Sequence, residues 1–312
     1  MRRVALVPAL ASLGAMLLLA GTQDSVRGQT AEDSAHRTYK GVMVSDLDTS
    51  PRRLAAARVG VVRINAGKAS PARGYGDIGL YTARLRAWGI RPLPMLQQNL
   101  SLTDRQWKRA VRAFATNVRA VFLEIGNEPG PRAWPRYFHL VRLAAPIIHN
   151  HGKKVVLAGS ENVDTNRYLT AAKAAGDIFP RVDGVAIHPY APTPYLVQQR
   201  IVEARRIVPW RLPFWITEVG WGTGPNQERG YGGLDVTPRA QARHVGRLYY
   251  RLFRLGRLLN LASIGYFIWR DYGPGDRQGD EWFHHSGLLR IDGTRKPAFA
   301  TYASRPRTRV QG

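Results

Sequence analysis

The sequence predicts an α/β protein that consists of a single (β/α)8 TIM barrel. From Tyr39 onward, short runs rich in β-branched residues alternate with longer amphipathic stretches, a pattern typical of βα units in a parallel sheet. Eight strand candidates can be counted. Once a predicted N-terminal export segment is subtracted from the 312 residues, the remaining length suits one barrel, for which about 250 residues is usual. No Gly-x-Gly-x-x-Gly follows the first strand, which disfavours an open doubly wound sheet with a dinucleotide site.

The predicted strands are short apolar runs in which β-branched residues recur. Proline weakens the third run, because it removes a hydrogen bond from the ladder. The runs are 41–44, 59–64, 90–94, 121–125, 155–158, 184–187, 214–217 and 264–268.

Two of the helices between these strands carry recognisable signals. Thr237 places a capping hydroxyl before Pro238, which suits a first helical turn, and apolar residues then recur at the helical period as far as Leu255. The stretch 104–118 has the same period and places Trp107 on its apolar face. We therefore expect a helix in each stretch, with its aromatic residues in the core.

The chain divides into three predicted parts. Residues 1–30 form a signal peptide and spacer, because an arginine pair precedes an apolar run that extends to Ala20. A membrane anchor is the alternative, but the run is short for a span and contains Pro8. Residues 38–304 form the barrel, and 305–312 form a basic tail that we expect to be frayed. We therefore expect a secreted, extracellular protein without stable membrane insertion.

The composition excludes some sites and partners. Hydrophobic residues make up 44% of the chain, enough for a large core, and the absence of cysteine excludes disulfides and thiolate metal sites. The formal net charge of +24 invites a nucleic-acid function, but the 46 basic residues are mostly arginine and are scattered along every segment. We expect a solvated basic surface, no nucleic-acid partner and a monomer.

Polar residues follow the predicted strands at the ends that carry the chemistry in barrels of this kind. Glu128 follows the fourth strand and Glu218 the seventh. Cleavage of a glycosidic bond requires two such groups: one protonates the leaving oxygen, and the other attacks the anomeric carbon or activates water. We expect desolvation and like charge to raise the pKa of the acid. The other polar residues at strand ends are Arg63, Asn65, Asn127, His188, Tyr190, Trp269, Arg270 and Asp271.

The sequences around both carboxyl groups resemble those of clan A glycoside hydrolases. The Ile-Gly-Asn-Glu-Pro run at 125–129 is similar to the clan's Asn-Glu-Pro motif, and the Trp-Ile-Thr-Glu-Val-Gly-Trp run at 215–221 is similar to its nucleophile motif. The resemblance implies a retaining enzyme with Glu128 as the acid/base and Glu218 as the nucleophile, about 5 Å apart. It implies no metal and no organic cofactor.

The resemblance extends to further residues of the predicted site. It implies that Asn127 binds the sugar hydroxyl next to the anomeric carbon and that Arg63 and Tyr190 orient Glu218. It also implies that His188 supports the acid/base side. The alternative for His188 is a structural histidine.

Two tryptophans are candidates for contact with sugar rings. The resemblance implies that Trp269 forms a hydrophobic platform under the sugar at the cleavage point, since sugar rings expose apolar C–H faces. Trp221 is expected to line a further subsite. The alternative for both is ordinary packing in the core.

The sequence thus predicts hydrolysis of a β-linked poly- or oligosaccharide by double displacement. It leaves the glycan and the linkage open. Its short loops favour an open groove and a polymeric substrate, with a cellulase-like or β-1,3-glucanase-like activity ahead of a xylosidase-like one. The alternative is a barrel that binds carbohydrate without catalysis. The presence of both carboxyl groups and their supporting residues argues against this alternative.

Overall fold

Eight parallel strands close into a barrel in the structure, a computed structural model that describes residues 36–160, 164–224, 231–272 and 282–311. Each predicted run overlaps one observed strand, and the prediction of a single (β/α)8 barrel is confirmed. The strands are β1 His36–Val44, β2 Val61–Lys68, β3 Arg91–Gln97, β4 Phe122–Ile125, β5 Lys154–Leu157, β6 Gly184–Ile187, β7 Phe214–Ile216 and β8 Leu261–Tyr266.

Strand β1 closes the barrel by pairing in parallel with both β2 and β8. Its residues 41–44 pair with 61–64 of β2, and its residues 39–42 pair with 263–266 of β8. The other strands pair in sequence order from β2 to β8. Because all eight run in the same direction, their C-terminal ends and the loops that follow form one rim, called here the C-terminal rim.

The described helices alternate with the strands. They are α1 Pro51–Ala56, α2 Gly76–Ala87, α3 Asp104–Asn117, α4 Trp134–Asn150, α5 Thr165–Ala174, α6 Pro194–Arg205, α7 Pro238–Leu255 and α8 Pro297–Ala303. Both helices predicted in detail are present as α3 and α7. The Thr237 hydroxyl caps α7 as expected, and Thr103 with Gln106 forms a capping box that starts α3.

Side chains that alternate along the strands fill the barrel interior in layers, and this alternation positions the rim residues. A small apolar cluster lies inside the barrel and consists of Val61, Leu93, Val156, Ala186 and Trp215. A side chain two residues further along a strand faces the same side, one layer closer to the rim. Arg63 therefore lies above Val61 on β2. The larger apolar core fills the space between the strands and the helices.

The C-terminal segment forms a ninth strand, β9 Thr308–Gln311, which pairs antiparallel with residues 36–39 of β1. The expectation of a frayed tail is therefore wrong for these residues. Strand β2 pairs with β1 only from residue 41 onward, so the first part of β1 is available to β9. The basic composition of the tail carries no signal for this pairing.

A buried lysine fastens the C-terminal segment to β1. Lys40 is fully buried, and its Nζ donates hydrogen bonds of 2.8–2.9 Å to the carbonyl oxygens of Ala57, Tyr302 and Arg305. Burial lowers the pKa of Lys40 to about 7, with smaller contributions from the charges of Arg58 and Arg305. One side chain thus joins β1, the end of α1 and the segment that leads to β9.

Among the residues that the structure describes, no helix is long and apolar enough to cross a membrane. The predicted signal peptide and spacer at 1–30 lies outside the described residues. Export of the chain stays a prediction.

Candidate active site

Side chains from four strands meet at the C-terminal rim. Arg63 lies on β2, Glu128 follows β4, His188 and Tyr190 follow β6, and Glu218 follows β7. Hydrogen bonds join Arg63 and Tyr190 to Glu218, and His188 to Glu128. The two groups meet where His188 Nε2 lies 3.7 Å from Glu218 Oε1. The parallel topology accounts for the meeting, because it brings the C-terminal ends of distant strands to the same edge of the barrel.

Glu218 is held at both carboxylate oxygens. The Arg63 guanidinium donates to Oε1, and the Tyr190 hydroxyl donates to Oε2 at 2.8 Å. Burial raises the pKa of Tyr190, as do the charges of Glu218 and Glu128, so the hydroxyl stays protonated and remains a donor. Glu218 is only 6% exposed, and its orientation is therefore set by two buried partners.

The loop after β4 holds Glu128 in an unusual backbone conformation. Glu128 has a φ of 42°, in the left-handed region that non-glycine residues seldom adopt, and Gly126 before it has a φ of 95°. A Cβ at Gly126 would lie 2.5 Å from the Tyr137 ring, so a larger residue does not fit there. Gln98, just after β3, accepts a bond of 2.7 Å from the Asn127 N–H and donates one of 2.8 Å to the Asn127 carbonyl. Such outliers cluster at functional sites.

His188 lies close to the carboxyl groups of both Glu128 and Glu218. Its ring is fully buried, with Nδ1 2.7 Å from Glu128 Oε1 and Nε2 2.9 Å from the Thr217 hydroxyl oxygen. The same Nε2 lies 3.7 Å from Glu218 Oε1. Gly159 leaves the space for the ring, because a Cβ there would lie 2.5 Å from His188 Cδ2 and Nε2.

The two neighbouring carboxyl groups favour the protonated form of His188. Burial lowers the pKa of His188, but the charges of Glu218 and Glu128 and the hydrogen bond to Glu128 outweigh burial and raise it above its usual value. Burial raises the pKa of Glu128, but the hydrogen bond and charge of His188, together with the charge of Arg63, outweigh burial and lower it. The expectation of a raised pKa for Glu128 is therefore wrong, because His188 and Arg63 favour its ionised carboxylate.

Among the described residues, one group of side chains has the spacing of a metal site. One ligand atom from each of Glu128, His188 and Glu218 lies within 4.8 Å of the others. These atoms already have other partners: both His188 nitrogens are hydrogen-bonded, and Glu218 accepts from the Arg63 cation. A guanidinium at this position repels a second cation, so the donor set does not fit a metal ion well.

The structure places Trp221 in the core rather than on a sugar-binding surface. The side chain is fully buried, and its indole N–H donates to the carbonyl oxygen of Ala191 at 2.9 Å. Its ring packs edge-on against His244 of α7. Trp221 therefore offers no exposed face to a sugar, and the expectation of a subsite there is corrected.

The aromatic side chain beside the site is Phe267 rather than Trp269. Trp269 is nearly buried and packs against Phe299 of α8, on the helical side of the strand. Phe267 lies 6.2 Å from the Tyr190 ring, and Trp282 lies 5.0 Å from the same ring, both measured between centroids. Phe267 and Trp282 are themselves buried, with 7% and 9% exposed, so the platform role expected of Trp269 stays a prediction.

Sequence reasoning missed residues that support the site without standing at a strand end. Glu124 lies in the middle of β4, fully buried, with Oε2 2.5 Å from Arg63 Nε. A carboxyl group inside an otherwise apolar strand is a signal that the sequence does carry. Gln98 and Gly159 show no such signal, because their roles depend on contacts with residues about 30 positions away.

No protein-family model matches the chain, and no curated protein sequence matches it. Solved structures match its fold. A family 39 glycoside hydrolase from Bacteroides cellulosilyticus matches with a TM-score of 0.65 and 19% identity, covering 86% of this chain and 63% of its own. GH5_18 from Bifidobacterium longum subsp. longum matches with a TM-score of 0.64 and 12% identity, covering 86% and 78%. A β-glucuronidase from Bacteroides uniformis matches with a TM-score of 0.63 and 12% identity, covering 86% and 34%.

The chain shares its fold with glycoside hydrolases. It spans 63% of the family 39 hydrolase and 34% of the β-glucuronidase. Because fold alone does not determine function, the activity of this chain has to be argued from the residues at its rim.

Proposed function

We propose that the protein is a retaining glycoside hydrolase, with Glu218 as the nucleophile and Glu128 as the acid/base. One observation carries the proposal: an oxygen of Glu128 and an oxygen of Glu218 lie within 4.8 Å of each other. Retaining glycosidases hold their carboxyl groups about 5–5.5 Å apart, whereas inverting ones need about 6.5–9.5 Å to admit a water molecule. The short separation supports direct attack on the sugar.

In the first step, Glu218 attacks the anomeric carbon while Glu128 protonates the leaving glycosidic oxygen. The bond between the anomeric carbon and that oxygen breaks, and a glycosyl ester forms on Glu218. Glu128 needs a proton for this step, and the His188 ring, whose Nδ1 lies 2.7 Å from Glu128 Oε1 and whose pKa is raised, can supply it. A bound sugar excludes water from Glu128 and so favours its neutral form, which draws the proton from Nδ1.

In the second step, Glu128 acts as a base. It accepts a proton from a water molecule that attacks the anomeric carbon, and the ester bond to Glu218 breaks. Glu128 suits this double role because it is the more exposed of the two carboxyl groups, with 31% of its side chain accessible against 8% for Glu218. Two displacements at one carbon retain the anomeric configuration.

The substrate in this proposal is a β-linked poly- or oligosaccharide. The β-glucuronidase among the similar structures acts on a β-glycoside, as its name states, and shares the barrel on which this site is built. Phe267 and Trp282 pack against the ring of Tyr190, which places apolar side chains next to the residue that holds Glu218. A binding barrel without catalysis would not need an acid/base and a nucleophile at this separation.

We further propose that the protein acts outside the cell. The arginine pair at residues 2–3 and the apolar run that follows support export through a signal peptide. Fractionation of the producing cells, with N-terminal sequencing of the mature protein, tests this part. An uncleaved chain in the cytoplasm would contradict it.

Release of reducing sugar from β-glucans, mannans, xylans and aryl β-glycosides tests the activity. We expect turnover by the wild type and its loss in Glu218→Gln, with Glu203→Gln, the same change at an exposed site on α6, as the matched control. Proton NMR of the first product reports its configuration. An inverted product, or equal activity of wild type and Glu218→Gln, would overturn the proposal, and sugar binding without turnover would establish the binding barrel instead.

A further inference from the structure

The five N–H hydrogens of the Arg63 guanidinium face four acceptor groups. Nε lies 2.5 Å from Glu124 Oε2, and Nη2 lies 3.0 Å from Glu124 Oε1 and 2.6 Å from Asn127 Oδ1. Nη1 faces Glu218 Oε1 and, at 3.5 Å, the sulfur of Met43. The orientation of the guanidinium plane therefore determines which hydrogen bonds Arg63 donates to Glu218 and to Asn127.

Glu124 determines that orientation. It binds Arg63 through two parallel hydrogen bonds on the Nε and Nη2 edge, a planar arrangement that admits little rotation. Both side chains are almost completely buried, so the pair has no competition from solvent. With this edge occupied by Glu124, Nη1 is left to face Glu218.

The same pair settles the orientation of the Asn127 amide. Arg63 has donors and no acceptor, so the amide atom that faces Nη2 must be the oxygen. The Asn127 NH2 group then points away from Arg63 and can donate a hydrogen bond to a sugar hydroxyl. If Arg63 left its position, nothing in this contact would prevent the amide from turning over.

We infer that Glu124 is a positioning residue that acts through Arg63 to orient both the Glu218 carboxylate and the Asn127 amide toward the sugar. The inference rests on the proposed function for the catalytic part of its test. Glu124 itself does not touch the reacting atoms, because Arg63 lies between it and Glu218.

Glu124→Gln is the direct perturbation, since it keeps the shape of the side chain and places a donor against an Arg63 donor. We expect kcat to fall about 100-fold, the loss typical of a displacement near 1 Å in a catalytic array. KM should change less than about threefold, because the misplaced groups act mainly in the transition state. Lys40→Met is the control for lost stability, because it removes a buried, hydrogen-bonded amino group far from the rim.

A double-mutant cycle separates positioning from a structural role. In an Arg63→Met background, Glu124→Gln should lower kcat no further, because Glu124 then has nothing to orient. Independent, multiplying losses would overturn the inference, as would unchanged kcat in Glu124→Gln. If Glu124→Gln does not fold, Glu124→Asp in the same cycle keeps the charge, and we expect an intermediate loss that vanishes in the Arg63→Met background.

A measurement without substrate keeps the inference separate from the proposed function. In protein labelled with 15N-arginine, the Arg63 Nε–H should exchange slowly with solvent in the wild type and rapidly in Glu124→Gln, while the backbone spectrum is retained. Slow exchange in both proteins would overturn the positioning role. Glycosides left intact by the wild type would instead count against the proposed function alone.

Discussion

Gly159 allows the role of His188 to be tested without changing any polar side chain. A Cβ at this position would lie 2.5 Å from His188 Cδ2 and Nε2, whereas ordinary contact begins near 3.4 Å. Gly159→Ala therefore requires the imidazole to retreat by roughly 1 Å to reach a normal contact distance. The ring is fully buried and hydrogen-bonded at both nitrogens, so it has no free direction in which to move.

The expected magnitude follows from that displacement. A shift of roughly 1 Å stretches or breaks the 2.7 Å bond between His188 Nδ1 and Glu128 Oε1. Misplacement on this scale lowers the rate about 100-fold, and we expect that loss in kcat/KM of Gly159→Ala, equivalent to about 2.7 kcal/mol of transition-state stabilisation. Overpacking should also lower the free energy of unfolding by about 1–3 kcal/mol.

Hydrolysis of an aryl β-glycoside and urea unfolding measure the two effects on the same preparation. Gly74→Ala is the matched control, because a Cβ there meets nothing within 4 Å and its φ is not positive. It should leave both quantities nearly unchanged. A folded Gly159→Ala protein with the kcat/KM of the wild type would refute the reasoning, since it would show that the ring can move without consequence.

Three further predictions concern stability. His188 adds to the free energy of unfolding below its usual pKa of 6.5, and this stabilisation is lost as pH rises through its raised pKa in the folded protein. Glu128 adds to the free energy of unfolding above its usual pKa of 4.5, and this stabilisation is lost as pH falls through its lowered pKa. The unfolding free energy of His188→Gln should therefore differ most from that of the wild type between pH 4.5 and 6.5, measured in urea; a difference independent of pH would contradict this. Lys40→Met should lower the free energy of unfolding by about 1–3 kcal/mol. Because the pKa of Lys40 falls from 10.5 to about 7 on folding, the wild type gains stability as pH rises from 7 to 10.5, and its advantage over the variant should grow. An advantage that shrinks over this range would contradict the prediction. Trp221→Phe should lower the melting temperature and leave KM unchanged, because Trp221 lies in the core. A raised KM would show instead that Trp221 contacts the sugar.

The strands are predictable because their apolar runs are short and bounded. The run at 184–187 coincides with β6, and the other runs overlap their strands with shifts at the ends. Such shifts arise because a strand extends as far as its neighbour offers hydrogen bonds, which a single run does not reveal. Strand β9 shows this most clearly. Its residues form a strand because β2 pairs only with residues 41–44 of β1 and leaves residues 36–39 free to pair with β9.

The positions of the two carboxyl groups at the rim are predictable from the sequence. Glu128 and Glu218 stand at strand ends, and their separation follows from barrel topology. Glu124 was missed because its role needs a partner on β2, 61 positions earlier in the chain. A strand-end rule selects residues that face the rim and overlooks those one layer below.

The aromatic residues show a different limit. Phe267 and Trp269 both follow β8, which ends at Tyr266. Beyond the last ladder residue, alternation no longer says which side chain faces the rim. Trp221 was misplaced for a related reason, because indole suits a sugar face and a core equally well, and its buried N–H partner lies about 30 residues away.

The pairing of β1 with both β8 and β9 has a consequence during synthesis. The first strand of the barrel emerges early, but two of its three partners lie near the far end of the described chain. Until those partners are made, β1 and the growing sheet carry open edges that attract other strands. Closure of the ring is therefore a late event in the synthesis of each molecule, and factors that shield unpaired strands should matter most before β8 and β9 leave the ribosome.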